Sequence, residues 1–197
     1  SLFTVLSIVG FSQPTASFSL SDNVICEGDC IDIENTSSND VVSSSWSFPS
    51  GTPSFYSGMN PGQICFATAG TYTLTLTVTD ATGNTSSASQ VLTVGSVPTV
   101  SITLLDTLGG VPIDDTIIPM YGGMWPSGTV TTGAVIAISG YAAGDSLVWV
   151  TPNNGDDVFC FGDLAGVCDT VVVSPYYDSY YIINNISPEG CIAADTV

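Results

Sequence analysis

The chain contains no lysine, no arginine and no histidine among its 197 residues, whereas an average composition would supply about 20 or more basic residues at this length. Its 18 carboxylates therefore leave a formal net charge of −18. Phosphate backbones and anionic lipid surfaces would be repelled, because no cation is present to neutralise a phosphate. We expect no nucleic acid and no anionic membrane as a partner.

The missing basic residues also narrow the catalytic chemistry. An enzyme made from this chain would have no imidazole base, lysine nucleophile or arginine clamp, only carboxylates, hydroxyls and thiols. Paired carboxylates hydrolyse glycosides when they stand about 5 to 9.5 Å apart, but the aspartates of Asp114–Asp115 and Asp156–Asp157 are sequence neighbours. Neighbours on a strand point to opposite faces. We predict no catalytic residues and no cofactor, and we do not expect an enzyme.

A zinc site is not expected, because the chain has neither a CxxC pair nor a histidine. The cysteines divide equally between the two halves: Cys26, Cys30, Cys65, Cys160, Cys168 and Cys191. Disulfides explain them better, and we predict the pairs Cys160–Cys168, which closes a short loop, and Cys30–Cys65. The partners of Cys26 and Cys191 stay open, and Cys26 with Cys30 is an alternative pairing.

Calcium is the cation that the acidic residues could hold, since it takes six to eight oxygen ligands. Four aspartates cluster around one loop of the second half: Asp156, Asp157, Asp163 and Asp169. No recognised calcium motif contains them, and solvated loop carboxylates explain them better. We therefore predict no metal site.

Export is indicated by Leu2–Phe11 (LFTVLSIVGF), an apolar run too short to span a bilayer but long enough for the core of a signal peptide. Cleavage near Ser12–Gln13 would make residues 1–13 a partial signal peptide, with a first β-strand as the alternative. The cysteines and this run both favour a secreted or cell-surface protein.

The chain is predicted to be all-β, because no long segment has helical apolar spacing and turn residues recur throughout. In Thr71–Thr79 (TYTLTLTVT), aromatic and aliphatic residues alternate with five threonines, as in a half-buried strand. The other strands predicted in the first half are Ser17–Leu20, Cys30–Glu34, Ser44–Phe48 and Ser89–Val94.

A linker is predicted over Gly95–Pro98, since alternation restarts after this proline. It separates two tandem Ig-like β-sandwich domains, over 14–97 and 98–197. The strands predicted in the second half are Val100–Leu104, Ala134–Ser139, Ser146–Val150, Thr170–Val173 and Tyr180–Ile183.

The tryptophans divide into two groups. Trp46 and Trp149 lie in strand patterns and are expected to fill sandwich cores. Trp125 and Tyr121 lie in a tract rich in glycine and proline, where exposed aromatics can contact a ligand. We keep both as candidate ligand contacts, with packing under the loop as the alternative.

The first half resembles the PKD (polycystic kidney disease) family of extracellular β-sandwich domains. The resemblance rests on Trp46–Pro53 (WSFPSGTP), Asn60–Pro61 and Ala69–Val78 (AGTYTLTLTV), and covers about 80 residues. Where the family usually has an Asp-Phe-Gly-Asp-Gly run, this chain has Ser47–Gly51 (SFPSG), which looks like the proline-containing subtype of large secreted bacterial proteins. Two aspartates are missing, so the resemblance implies the fold but no cation site.

The second half resembles, more loosely, the Ig-like repeats of bacterial surface adhesins, and a truncated last strand is kept as an alternative to a complete one. The matching segments are Asp145–Trp149, Cys160 with Cys168, Val173–Pro175, Glu189–Cys191 and Asp195–Val197. These resemblances imply a non-catalytic extracellular binding or spacer module of a larger protein, in adhesion or in contact with protein, carbohydrate or neighbouring domains. The alternative is the non-catalytic N-terminal region of a secreted hydrolase, and an acidic glycan- or calcium-dependent adhesin is a third hypothesis.

Overall fold

The computed structural model describes residues 13–104, 107–108, 111–112, 134–150, 158–160, 170–173 and 180–197. Within these residues the chain forms strands and no helix, so the all-β prediction is confirmed. The strands are β1 (Phe18–Leu20), β2 (Val24–Cys26), β3 (Cys30–Asn35), β4 (Val41–Ser47), β5 (Gly51–Thr52), β6 (Phe55–Ser57), β7 (Gly62–Phe66), β8 (Gly70–Asp80), β9 (Thr85–Gly95), β10 (Ser101–Leu104), β11 (Thr107–Leu108), β12 (Val111–Pro112), β13 (Ala134–Ser139), β14 (Ser146–Val150), β15 (Val158–Cys160), β16 (Thr170–Val173), β17 (Ile182–Ile186) and β18 (Ile192–Thr196).

Two compact units divide between Gly95 and Ser96, inside the linker predicted from the sequence. The first unit is a sandwich of two sheets, one four-stranded with the order β1-β3-β7-β5 and one five-stranded with the order β2-β9-β8-β4-β6. Neighbouring strands are antiparallel except for β2 and β9, which run parallel. The predicted leader falls on residues 1–12, which lie outside the described residues, and on Gln13.

The long hairpin β8–β9 is the framework of the first unit. From Tyr72 onward the even positions of β8 are half-buried or buried, and the odd positions are exposed or half-exposed, as the alternation of Thr71–Thr79 predicts. β9 begins at Thr85, before the predicted start at Ser89, because its polar first residues pair with β8 up to Thr79. Backbone pairing with β8, whose alternation is regular, thus extends β9 over residues that have little apolar alternation of their own.

Trp46 is the centre of the first core, at 1% exposure, and the prediction that it packs in the core is confirmed. Its indole Nε1 donates a hydrogen bond to the carbonyl oxygen of Gly58 at 2.9 Å, so its polar edge is satisfied. The ring meets Phe18 edge-on at 5.4 Å and stacks on Phe48 at 6.0 Å between centroids. Phe48 belongs to the proline-containing turn, which therefore supplies an aromatic core residue.

Several short strands of this unit were not predicted from the sequence, namely β2, β5, β6 and β7. Each is too short for apolar alternation to stand out from its turns. The predicted strand Ser44–Phe48 corresponds to β4, which starts earlier and ends at Ser47. A register shift between Val41 and Ser43 bends its first residues, where no simple alternation holds.

The second unit contains a sheet of order β10-β13-β16-β15, a sheet of order β14-β17-β18 and the pair β11-β12. Strands β13, β14 and β16 have the predicted bounds. The strand predicted at Tyr180–Ile183 instead runs over Ile182–Ile186, because these five residues pair with β14 on one side and β18 on the other. Strands β11, β12, β15 and β18 were missed.

Both larger sheets contribute to one core cluster, in which Ile136 and Val171 are buried and Trp149 packs against them half-buried.

Polar side chains tie β10 to the other strands of the second unit. The amide Nδ2 of Asn185, which is fully buried, donates to the carbonyl oxygen of Thr99 and to Asp145 Oδ2, each at 2.8 Å. Asp195 accepts a hydrogen bond from the backbone N–H of Ile102 at 2.8 Å. This bond, with a second from the N–H of Thr196, lowers the pKa of Asp195.

Candidate functional site

The carboxylates are the most numerous ionisable groups of the chain. Within the described residues, no three acidic or cysteine side chains come close enough to hold a metal ion. The loop aspartates 156, 157, 163 and 169, considered for calcium, lie outside the described residues.

The four-stranded sheet of the first unit carries charge on its outward face. Asp32 and Glu34 of β3 are exposed, alternating with the buried Ile31 and Ile33. Gln63 lies opposite Asp32 in the register of β3 and β7. The face is thus acidic, and no cation offsets it because the chain contains none.

The outward face of the five-stranded sheet has a different chemistry, and we call it the hydroxyl face. Its strands contain one carboxylate, Asp80, which is buried. Most of the other outward positions of β4, β8 and β9 carry a serine or threonine, and the exposed exceptions include Val42 of β4 and Val91 of β9. The face consists of Ser43, Ser45, Ser47, Thr71, Thr73, Thr75, Thr77, Thr79, Thr85, Ser87, Ser89 and Thr93.

The hydroxyls line up in rows across the strands. One row joins Ser57, Ser45, Thr77 and Ser87 on four neighbouring strands. The hydroxyls of Thr77 and Ser87 are hydrogen-bonded at 2.9 Å. Each hydroxyl can donate once and accept twice, so a paired hydroxyl keeps capacity for a ligand.

The next row ends on an aromatic side chain. Phe55 of the edge strand β6 lies opposite Ser47, which in turn lies opposite Thr75, and Thr75 lies opposite Ser89. Thr75 and Ser89 are hydrogen-bonded through their hydroxyls at 3.1 Å. Phe55 is 61% exposed, so the row presents an open ring beside hydroxyls.

Asp80 closes the hairpin at one end of the hydroxyl face. Its Oδ1 accepts hydrogen bonds from the N–H and hydroxyl of Thr82, both at 2.8 Å, and from the N–H of Asn84 at 2.9 Å. Burial by itself raises the pKa of Asp80, but the hydrogen bonds from Asn84 and Thr82 outweigh it and lower the pKa from 3.8 to about 2. Asp80 is therefore a charged structural anchor of the turn, not a free carboxylate.

Two cysteines of the first unit, Cys30 and Cys65, lie on the acidic face. Cys30 and Cys65 are directly opposite each other in the register of β3 and β7, and they form a disulfide with an S–S distance of 1.95 Å. This bond excludes the alternative pairing of Cys26 with Cys30. Cys26 and Cys191 each take part in a disulfide, and no described cysteine is free. The predicted pair Cys160–Cys168 cannot be placed, because Cys168 and the side chain of Cys160 lie outside what the structure describes.

The two candidate ligand contacts predicted from the sequence are Trp125 and Tyr121. Both lie outside the described residues, so their role as ligand contacts stays a prediction. The hydroxyl face was not predicted as a site. Its signal was present in the five alternating threonines of Thr71–Thr79, but it could be recognised only with the serines that the sheet order places beside them.

The described part of the chain has no helix that could cross a membrane. Its first unit is a two-sheet, disulfide-linked β-sandwich with an uncharged face and an acidic face, which defines it as an Ig-like β module. Residues 11–94 match the model of the PKD domain family. The chain belongs to the PKD domain family through this unit, as the resemblance implied.

Two solved structures are similar to this unit. The PKD1 domain from the Vibrio cholerae metalloprotease PrtV is 34% identical and covers 42% of this chain and 98% of its own, with a TM-score of 0.35. The PKD1 domain of Vibrio anguillarum Epp is 31% identical and covers 43% of this chain and 96% of its own, with a TM-score of 0.37. No curated protein matches the chain.

Proposed function

We propose that this chain is a non-catalytic binding module of a larger secreted or cell-surface protein. The observation that carries the proposal is the PKD sandwich itself, whose two outward faces differ in charge while its polar side chains serve structure. Asp80 anchors a turn, and the indole of Trp46 is committed to the core. The side chains that are exposed on the two outward faces are suited to contact with an extracellular protein or carbohydrate.

An extracellular location is supported by the disulfide chemistry. Cys30 and Cys65 are bonded, and such bonds persist mainly in oxidising compartments. A second candidate is supported by the similar PKD1 domain, which comes from a Vibrio cholerae metalloprotease and hence from a hydrolase. In that candidate the chain is the non-catalytic N-terminal region of a secreted hydrolase.

A binding array tests the main proposal. The chain, produced under oxidising conditions, is applied to immobilised gelatin, casein and serum albumin and to immobilised neutral and acidic polysaccharides. We expect retention on at least one surface, with no release of peptides or reducing sugars. Retention on none of them, or release of either product, would contradict a non-catalytic binding module. Repeating the array in calcium and in chelator tests the calcium-dependent adhesin.

The coding sequence on either side of the chain separates the two candidates. A catalytic domain of a hydrolase in the same reading frame would favour the second candidate. Further binding repeats, or a surface anchor, would favour an adhesion protein. Either result leaves the array experiment to decide whether the chain itself binds.

A further inference from the structure

The two faces of the first unit differ in a way that selects a ligand class. The outward positions of β3 carry Asp32 and Glu34, whereas those of β4, β8 and β9 carry no charge. β-Propensity explains threonine on a strand, but it does not explain why the exposed acidic residues of the strands lie on one sheet alone. A chain with a net charge of −18 has kept one whole sheet face neutral.

A charged partner does not fit this neutral face. An ion buried against hydroxyls alone would lose its hydration without gaining a counter-charge, which costs several kcal/mol. Cationic partners are instead attracted to the acidic face, where Asp32 and Glu34 lie. The charge distribution therefore points to an uncharged ligand on the hydroxyl face.

A purely apolar partner does not fit either. Thr75 is hydrogen-bonded to Ser89 and Thr77 to Ser87, so each pair leaves one hydroxyl proton with no acceptor inside the pair. Covering the pairs with apolar groups would remove these protons from water without new partners, and each such loss costs about 1 to 3 kcal/mol. A ligand with many hydroxyls avoids this cost, because a hydroxyl can both donate and accept and so pairs with another in almost any orientation.

The dimensions favour a polymer. Within a row, neighbouring hydroxyls are about 4.8 Å apart, which is the distance between strands. Successive rows are about 6.7 Å apart along the strands, because outward residues are two positions apart. Four strands contribute to the row of Ser57, Ser45, Thr77 and Ser87. The adjacent row ends at the exposed ring of Phe55, a flat apolar surface on which the carbon face of a sugar ring can stack.

We propose that the hydroxyl face binds an uncharged polysaccharide, with Phe55 as the stacking platform and Thr75 and Thr77 as central hydrogen-bonding groups. The inference rests on the proposed function, because it names the ligand class of a binding module. Acidic polysaccharides and polypeptides are not ligands of this face.

Affinity electrophoresis of the chain through gels with soluble polysaccharides tests the proposal. Hydroxyethyl-cellulose, galactomannan, glycogen and dextran serve as neutral probes, and carboxymethyl-cellulose and alginate as anionic ones. We expect retarded migration in at least one neutral polysaccharide and in neither anionic one. Hydroxyethyl- and carboxymethyl-cellulose share a backbone, so the pair isolates the effect of charge.

Variants locate the binding surface. The double variant Thr75→Val with Thr77→Val keeps side-chain shape and strand propensity while removing two hydroxyls, and Phe55→Ala removes the ring. Each should weaken retardation at least fivefold in apparent Kd. The matched controls are Thr52→Val, on the exposed edge of the other sheet, and Ile192→Ala, which removes a similarly exposed apolar side chain from β18 of the second unit. Both controls should bind as the parent does.

Three outcomes would overturn the proposal. The first is no retardation in any of the four neutral polysaccharides, and the second is equal loss of binding in the control variants. The third is retention on gelatin or casein alone that the hydroxyl-face variants abolish, which would assign the face to a protein partner. In that third case the proposed binding function stands while the ligand class fails. Thermal unfolding of every variant verifies that the fold is retained.

Discussion

The phenol of Tyr72 donates a hydrogen bond to the carbonyl oxygen of Thr68, four residues upstream, at 2.8 Å. The oxygen of Ala69 lies at 3.3 Å from the same hydroxyl, and the ring stacks on Phe66 with centroids 5.6 Å apart. The side chain therefore fixes the corner at which the chain enters β8. This arrangement corresponds to the tyrosine corner of Ig-like sandwiches.

Replacing Tyr72 by phenylalanine should lower the free energy of unfolding by about 1 kcal/mol, because it removes the hydrogen bond and keeps the ring. Replacement by alanine should cost about 3 kcal/mol or more, since the stacking on Phe66 is lost as well. Urea unfolding of the parent and both variants measures the two steps. Equal effects of the two substitutions would show that the hydroxyl contributes nothing.

Acidification should destabilise the first unit through Asp80. Its pKa in the folded chain is about 2, below the ordinary 3.8, so the folded state binds fewer protons than the unfolded state between these values. The stabilisation is therefore complete above about pH 4 and is lost as the pH falls through about 2. Asp80→Asn should be less stable than the parent at pH 7, and this difference should shrink at pH 2.

The matched control for Asp80 is Asp32→Asn, a substitution at an exposed carboxylate of the same unit. It should leave the free energy of unfolding at pH 7 nearly unchanged. A difference between the parent and Asp80→Asn that stays constant from pH 7 to pH 2 would contradict the role of the ionised carboxylate.

Removing the Cys30–Cys65 disulfide by the double substitution to alanine should lower the free energy of unfolding by about 4 kcal/mol, from loop-closure entropy. The sequence separation of 35 residues sets this magnitude. Chemical unfolding with and without a reductant measures it. Since the bond lies on the acidic face, polysaccharide binding by the folded variant should be unchanged.

Asn185→Ala should destabilise the second unit by about 1 to 3 kcal/mol, because the carbonyl of Thr99 and the carboxylate of Asp145 would both lose a buried donor. Asn184→Ala is the control, since the neighbouring side chain points to the opposite, half-exposed face of β17. Hydrogen exchange of the backbone amide of Ile102 should accelerate in Asn185→Ala alone. Similar exchange in the two variants would contradict the anchoring role.

The sequence predicts best where alternation is strong and local. Thr71–Thr79 specifies both faces of β8, because its apolar side chains must go inward and its threonines outward. Strands β13, β14 and β16 were predicted for the same reason. In contrast, β5 and β6 are too short to carry a period, and they form because the turn after Phe48 brings them beside longer strands.

The candidate surface could not be predicted from the sequence, because it depends on which strands become neighbours. Thr77 and Ser87 face each other through a hairpin that was expected, but Ser45 joins their row only through the pairing of β4 with β8. The acidic residues of β3 are separated from that row only because β3 pairs with β7 in the other sheet. Sheet order, which is set by long-range packing, therefore creates the contrast between the two faces.

The parallel pairing of β2 with β9 has a mechanical consequence. β2 lies near the start of the first unit and β9 ends at its last residue, Gly95. A pull that separates the two ends of this unit would draw the strands past each other along their common axis. Their hydrogen bonds, including Thr93 N–H to Asn23 O and Glu27 N–H to Gly95 O, would then be loaded together in shear rather than opened one after another. A module stretched in this way would thus carry tension through this short pair before the sandwich unravels.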